Sequence, residues 1–250
     1  MENGEEYDVS DKLSFSSNMP GQDYNTISGY VYTAEPGEKI AILGPTGSGK
    51  TTLISLLNCL YRSREGSIRI DGYPIGDIRL SALRRAVAAV PQETSLFTGS
   101  VRENLQAGRP GADDEELQNV LRRSGADFFV SRMAHGLDTC LHKGGKRLSQ
   151  GERQLLSIAR AEVSDAPILI LDEATSSVDT RTEMLIEQGF DSLMKDKTVL
   201  VIAHRLSTVR TADRIIILKD GTILEQGTHE ELLKKDGFYR RLIRGDAELA

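Results

Sequence analysis

The chain has 250 residues, of which 39% are hydrophobic and 27% are charged, so it is a folded globular protein of one or two domains rather than a disordered one. With 31 lysines and arginines against 37 aspartates and glutamates, its net charge is −6, which argues against a general nucleic-acid binder. Two distant cysteines, Cys59 and Cys140, form no CxxC pair, so neither a zinc site nor a disulfide framework is expected. The apolar runs reach four or five residues, whereas a membrane helix needs about 20.

Short apolar runs alternate with helical patterns along the chain, which is typical of a mostly parallel α/β sheet. The predicted strands are 39–43, 67–72, 87–90, 168–171, 198–203 and 214–218. A helix is predicted over 50–60, because leucines recur on one face at 53, 56, 57 and 60. The sequence at 219–222 predicts a hairpin turn. Residues 1–36 show the least pattern.

The character of the sequence changes over residues 93–164, where no convincing strand is found. Asp113 is placed to cap a helix that ends before Gly125. Ser149 and Glu152 have the spacing of a capping box and open another helix. We therefore predict a helical insert over 93–164. A second capping-box spacing, at 228–231, precedes a last amphipathic helix.

A phosphate-binding loop is predicted between the strand at 39–43 and the helix that follows. The sequence fits G-x-x-x-x-G-K-[ST], and with the next residue it comprises Gly44, Pro45, Thr46, Gly47, Ser48, Gly49, Lys50, Thr51 and Thr52. The glycines let the backbone wrap around phosphates, and the helix N-terminus offers amide donors. Lys50 adds charge for the β- and γ-phosphates, and Thr51 adds a hydroxyl for Mg²⁺. A glycine-rich turn with a chance lysine is the alternative.

Two acids follow the apolar strand at 168–171. Asp172 suits the coordination shell of Mg²⁺, through a water molecule. Glu173 suits a general base that polarises the attacking water. Without the phosphate-binding loop, a solvated acidic loop after a strand would explain the pair as well.

A third motif identifies a family. The run Leu148, Ser149, Gln150, Gly151 and Glu152 closely resembles the signature motif of ABC ATPases. The rest of that family's pattern follows in order: Gln92 resembles the Q-loop, the run Ser176, Ser177, Val178 and Asp179 resembles the D-loop, and His204 resembles the switch histidine. Taken alone, Ser149 could be only a helix cap, and His204 only a hydrogen-bonded loop histidine.

The resemblance covers nearly the whole chain, and residues 96–105 and 236–239 are similar to the nucleotide-binding domains of ABC exporters. It implies an α/β P-loop NTPase with a RecA-like core (1–92 and 165–250), an N-terminal antiparallel β portion and a helical subdomain at 93–164. It also implies an ATPase on the cytoplasmic face of a membrane. This ATPase would power export of an unknown substrate, with transmembrane domains as partners and no nucleic acid.

The resemblance further implies that two such domains dimerise around two Mg-ATP. Each site would take its phosphate-binding loop from one chain, with Glu173, His204 and Gln92 as catalytic groups. Thr51, Gln92 and Asp172 would hold Mg²⁺. The signature motif, through Ser149 and Gly151, would bind ATP from the opposite chain.

Several residues depart from the family's pattern. Gln150 and Glu152 stand where Gly and Gln are common, and Lys143 stands where exporters usually carry an acid. Glu162 is placed near the apolar face of the signature helix, without an explanation. The aromatic residue that usually stacks on adenine in this family is missing. Aligning Phe15 with the family's phenylalanine puts Ser17 at that position, and an alignment without a gap puts Met19 there. Tyr24 is the nearest aromatic residue that could replace it, although a loop tyrosine near a turn is the simpler interpretation.

The sequence is compatible with two other functions. The chain could be a low-turnover half of a heterodimer that mainly binds ATP, although Glu173 and His204 are both intact. It could also be a soluble ABC ATPase that remodels nucleic acid or ribosomes. The net charge, the single phosphate-binding loop and the exporter-like run at 96–105 argue against that second alternative.

Overall fold

The computed structural model describes residues 13–17, 30–61, 67–92, 94–173, 178–203 and 205–245. The strands in these ranges are β1 (Leu13–Ser17), β2 (Tyr30–Ala34), β3 (Lys39–Leu43), β4 (Ser67–Ile70), β5 (Tyr73–Pro74), β6 (Val87–Val90), β7 (Gly99–Ser100), β8 (Cys140–Leu141), β9 (Ile168–Asp172), β10 (Thr198–Ile202), β11 (Arg214–Lys219) and β12 (Thr222–Gly227). The helices are α1 (Lys50–Leu57), α2 (Leu80–Ala86), α3 (Val101–Gln106), α4 (Asp114–Ser124), α5 (Asp127–Val130), α6 (Gln150–Ser164), α7 (Thr180–Met194), α8 (Leu206–Arg210), α9 (His229–Lys234) and α10 (Phe238–Arg244). None of these helices is both long and apolar enough to cross a membrane.

The chain divides into two compact units. The first comprises Met1–Val87 and Lys197–Ala250, and the second comprises Ala88–Asp196. The narrower helical insert predicted over 93–164 stays a prediction.

The first unit is built on a sheet in the order β12-β11-β3-β10. Strands β10 and β11 both pair with β3 in parallel, and their central residues are buried. Burial on both faces explains why these strands are continuous apolar runs in the sequence. Strand β12 pairs antiparallel with β11 through a turn in which Asp220 (φ 47°) and Gly221 (φ 72°) are both left-handed. The predicted hairpin is confirmed, with the conformation that a type I′ turn requires.

A second, antiparallel sheet of the first unit has the order β2-β1-β4-β5. Leu13 of β1 stands opposite Ala34 of β2 and Ile70 of β4. On β4 the residues alternate, with Ile68 and Ile70 buried and Arg69 exposed, as the period-two pattern predicts. The N-terminal antiparallel β portion is therefore confirmed.

The second unit packs α4, α6 and α7 against one another. Gly189 of α7 lets the helices approach closely, because a Cβ there would lie 3.0 Å from the Ser124 carbonyl oxygen and 3.4 Å from Ile158. Asp113 caps α4 in a complete capping box, and Gly125 ends that helix with φ 76°, so both predicted ends of α4 are confirmed. Glu162 of α6 forms an ion pair with Arg123 of α4. This ion pair explains the acidic residue near the apolar face of the signature helix, for which the sequence alone gave no reason.

Two local predictions were wrong. The helix predicted over 50–60 ends at Leu57, because Asn58 forms its C-cap and Cys59 is left-handed (φ 52°); Leu60 is consequently 62% exposed. Strands do occur within 93–164, since Gly99 pairs with Leu141 and Ser100 with Cys140. A two-residue strand is too short to show an alternating pattern.

Candidate active site

The loop between β3 and α1 requires glycine at its first position. Gly44 has φ +151°, and a Cβ at this position would overlap the carbonyl oxygen of Leu218 on β11 and lie 2.6 Å from Ser48 Oγ. Gly47 (φ 80°) and Gly49 (φ 104°) also adopt left-handed conformations, which favour glycine. The loop is therefore wound tightly against the end of β11.

Hydrogen bonds hold this loop and its lysine in place. The Lys50 ammonium donates to the carbonyl oxygens of Gly44 (2.6 Å) and Pro45 (2.8 Å). Ser48 is buried, and its carbonyl oxygen accepts from the Gly221 amide in the β11–β12 turn (3.2 Å). A fixed positive charge consequently lies directly over the loop backbone.

The N-terminus of α1 is suited to an external anion. Its cap, Gly49, has no side chain, and its first turn reads Lys-Thr-Thr-Leu without an acid. By contrast, α3, α4, α6 and α9 each use a glutamate of their own to complete a capping box. The first amides of a helix have no intrahelical acceptor, so in α1 they fit a phosphate group. Thr51 is exposed and Thr52 half-buried in this turn.

The second unit contains the two acids that follow an apolar strand. Residues Ile168–Leu171 of β9 are buried, Asp172 is half-buried and Glu173 is only 8% exposed. Carboxylate, amide and hydroxyl oxygens are the ligands that Mg²⁺ prefers. Asp172 and the exposed Gln92 of the same unit carry oxygens of this kind, as does Thr51 in the first unit.

The signature motif forms the start of α6. Ser149 is the N-cap: its Oγ accepts from the Glu152 amide (3.2 Å), and Glu152 Oε2 accepts from the Ser149 amide (2.8 Å). The predicted capping box is confirmed. Leu148 donates its amide to the Gly145 carbonyl oxygen (2.9 Å), Gln150 is half-buried and Gly151 is buried. Glu152 thus places its own carboxylate at this helix N-terminus.

Gly151 of the signature motif is closely packed against Val178, which precedes α7, and against Thr182 of α7. A Cβ at position 151 would lie 2.9 Å from Val178 Cγ1 and still closer to Thr182 Cγ2. Asp179 caps α7 by accepting from the Thr182 amide (3.0 Å), and this bonding lowers the pKa of Asp179. The sequence carries no signal for the contact with Thr182, because the two residues lie on different helices.

The predicted site residues are divided between the two units. Residues 44–52 belong to the first unit, whereas Gln92, 148–152, Asp172 and Glu173, and Val178 and Asp179 belong to the second. His204, Ser176, Ser177, Met19 and Tyr24 lie outside the described residues. Phe15 and Ser17 lie on β1, of which only the backbone is described.

Comparison with known proteins agrees with this geometry. A family model described as "ABC transporter" matches residues 27–176. An ATP-dependent lipid A-core flippase of Chromobacterium violaceum is 44% identical over 93% of this chain and 39% of its own length. The β-(1→2)glucan export ATP-binding/permease protein NdvA of Nitrobacter winogradskyi is 46% identical over 93% of this chain and 37% of its own length.

A solved structure leads to the same family. A bacterial Atm1-family ABC exporter with ATP bound superposes with a TM-score of 0.85 and 37% identity, over 96% of this chain and 43% of that chain. The chain thus spans well under half the length of these relatives. It belongs to the ABC transporter family, and it is an ATP-binding domain of exporter type in a family that hydrolyses ATP.

Proposed function

We propose that this chain hydrolyses ATP to power the export of a substrate across a membrane, and that it acts at the cytoplasmic face with transmembrane domains as partners. The observation that carries the proposal is the start of α1, where a lysine held by the loop carbonyl oxygens lies at a helix N-terminus without an acid of its own. This arrangement suits a phosphate group. Its relatives include a lipid flippase and a glucan exporter. The substrate of this chain is not named by that similarity.

In the proposed site, residues 44–52 bind the phosphates of ATP. The backbone amides of the loop and of the first turn donate to phosphate oxygens, and Lys50 exchanges its contacts with Gly44 and Pro45 for the β- and γ-phosphates. Thr51, Asp172 and Gln92 hold Mg²⁺, which offsets the negative charge of the phosphates when it is bound.

Glu173 is the proposed general base. It accepts a proton from the attacking water as the water oxygen bonds to the γ-phosphorus and the bond to ADP breaks. Its position at the end of a buried strand keeps bulk solvent from most of the carboxylate. His204 contacts the γ-phosphate, and Gln92 orients the water and the metal.

Two chains complete the site between them. Ser149 and Gly151 at the start of α6 bind the γ-phosphate held by the opposite chain, with the Ser149 hydroxyl as donor. The D-loop (176–179) lies in the same interface. Two Mg-ATP are bound in the dimer, and closure and opening of the dimer are transmitted to the transmembrane domains.

Phosphate release from purified chain with Mg-ATP tests the proposal. Glu173→Gln keeps the size of the side chain but removes the base, so hydrolysis should fall by about 10² to 10⁴-fold while ATP binding persists. The matched control is Glu115→Gln, an exposed residue of α4, which should leave the rate unchanged. Near-normal turnover in Glu173→Gln would remove Glu173 from this role. ATP binding without hydrolysis in the unmodified chain would instead support a low-turnover, ATP-binding half of a heterodimer.

A further inference from the structure

The β11–β12 hairpin contacts the loop before α1 at two points. Strand β11 pairs with β3 as far as the last residue of β3, so Gly44 lies beside Leu218, and a Cβ on Gly44 would overlap the Leu218 carbonyl oxygen. Towards the other end of the loop, the Ser48 carbonyl oxygen accepts from the Gly221 amide (3.2 Å). The hairpin groups at both points are backbone atoms, so side-chain patterns in the sequence give no sign of them.

A β-bulge shapes the hairpin where it meets the loop. The pairing of the two strands shifts by one residue between Ile217 and Leu218 of β11. Leu224 is the extra residue of β12, because its neighbours Ile223 and Glu225 pair with consecutive residues of β11. Bulges bend a strand, increase its twist and are common next to active sites. The hairpin is therefore bent locally at the residue that lies against the loop.

The Gly221 amide is not needed to close the hairpin itself. Lys219 pairs with Thr222, and the Thr222 hydroxyl donates to the Lys219 carbonyl oxygen (2.9 Å). Gly221 is buried and left-handed (φ 72°). Its hydrogen bond to Ser48 therefore links the turn to the loop and is not part of the turn.

The hydrogen bond at Ser48 also fixes the direction of the next amide in the chain. A trans peptide is planar, so its carbonyl and its amide point in opposite directions. Because the Ser48 carbonyl points at the hairpin, the Gly49 amide points away from it. The Gly49 amide has no hydrogen-bond acceptor among the residues that the structure describes. Gly49 is the N-cap of α1 and has no side chain, so this donor is available to an anion.

We infer that Gly221 is a positioning residue for ATP, because its amide holds the Ser48 carbonyl and thereby directs the Gly49 amide at the phosphates. The inference rests on the proposed function, under which residues 44–52 bind these phosphates. Without the Gly221 hydrogen bond, the peptide between Ser48 and Gly49 is free to rotate, and its ordering then costs binding free energy. Gly221 itself does not contact the nucleotide, so it acts on phosphate affinity and not on the chemical step.

Exchange of the backbone amide at position 221 for an ester tests the inference. Replacing Gly221 by glycolic acid substitutes an oxygen for the N–H group and adds no side chain. The 250-residue chain should then bind Mg-ATP about fivefold more weakly, the effect of one net hydrogen bond of about 1 kcal/mol. Mg-tripolyphosphate, which has the phosphates without the nucleoside, should lose the same factor. Phosphate release at saturating ATP should keep its rate.

Gly125 provides the matched control for this exchange. It is also left-handed (φ 76°), and its amide also donates to a backbone carbonyl oxygen at 3.2 Å, that of Arg122. Glycolic acid at position 125 should leave both affinities unchanged. Unchanged affinity after exchange at 221, or an equal loss after exchange at 125, would overturn the inference. A loss of ATP affinity without a loss of tripolyphosphate affinity would also overturn it, because the loop would not be the cause.

Hydrogen exchange of the unmodified chain is a second measurement that does not depend on folding of the ester. Coupling between two sites is reciprocal, so saturating Mg-tripolyphosphate should slow exchange of the Gly221 amide about fivefold and leave that of Gly125 unchanged. An unchanged exchange rate at Gly221 would contradict the inference. Binding of Mg-ATP without phosphate release would count against the proposed hydrolysis and not against the positioning role of Gly221.

Discussion

Substitution of Gly151 by alanine should destabilise the second unit by overpacking. The new Cβ would be 2.9 Å from Val178 Cγ1 and closer still to Thr182 Cγ2, both well inside an ordinary carbon contact. Thr182 belongs to α7 and donates its amide to Asp179, so it cannot move without disturbing the helix cap. Overpacking of this kind costs about 1–3 kcal/mol. We expect Gly151→Ala to lose this much free energy of unfolding and to release phosphate more slowly.

A second substitution tests whether the methyl group is the cause. Thr182→Ser removes Cγ2 but keeps the backbone amide that bonds Asp179. The double variant Gly151→Ala/Thr182→Ser should therefore recover about 1 kcal/mol relative to Gly151→Ala. Urea unfolding followed by circular dichroism measures all four proteins of the cycle. Wild-type stability in Gly151→Ala, or no recovery in the double variant, would refute the steric reasoning. Recovered stability without recovered hydrolysis would mean that bound nucleotide also requires the glycine.

The remaining predictions concern nucleotide affinity. Lys50→Ala should lose tight ATP binding at an unchanged melting temperature, because charged hydrogen bonds to phosphate are worth about 1.5–3 kcal/mol each. Lys235→Ala is the control, and an unchanged ATP affinity in Lys50→Ala would contradict the assignment of Lys50 to the phosphates. Without an adenine-stacking ring, ATP affinity should be modest and ATP poorly distinguished from GTP, and Ser17→Tyr should add about 1–3 kcal/mol. A strong preference for ATP in competition binding at fixed Mg²⁺ would contradict this. If Tyr24→Ala abolished that preference, Tyr24 would supply the ring. If the preference survived in Tyr24→Ala, the predicted alignment of the N-terminal segment around Phe15 and Ser17 would be wrong.

The parts of the fold that sequence predicted correctly depend on neighbouring residues. The capping boxes at Ser149 and Thr228 are formed within three residues, so their spacing alone identifies them. The strands at 39–43 and 168–171 are continuous runs of mostly apolar residues, and these apolar residues are buried. The loop between β3 and α1, with the predicted strand before it and the predicted helix after it, is likewise a continuous segment. Each of these features can be read from the sequence without knowing what lies next to it in space.

The features that sequence could not predict depend on distant residues. Gly151 is closely packed against Thr182 of another helix, and Glu162 is paired with Arg123. Neither contact leaves a periodic pattern in the chain. Leu60 continues the apolar period of α1 although the helix has already ended at Leu57. The spacing of apolar residues gives no sign of the left-handed Cys59 that stops the helix. Tertiary packing, rather than local preference, decides the first two cases, and a single left-handed residue decides the third.

We propose that ATP is hydrolysed at sites completed by two chains, and the dependence of phosphate release on chain concentration is the test of this proposal. Release per chain should be measured at saturating Mg-ATP over a roughly hundredfold dilution series, because mass action dissociates a dimer on dilution. We expect release per chain to rise with concentration and then to level off as the dimer forms. Release per chain that is constant throughout the series, or absent at every concentration, would contradict the proposal.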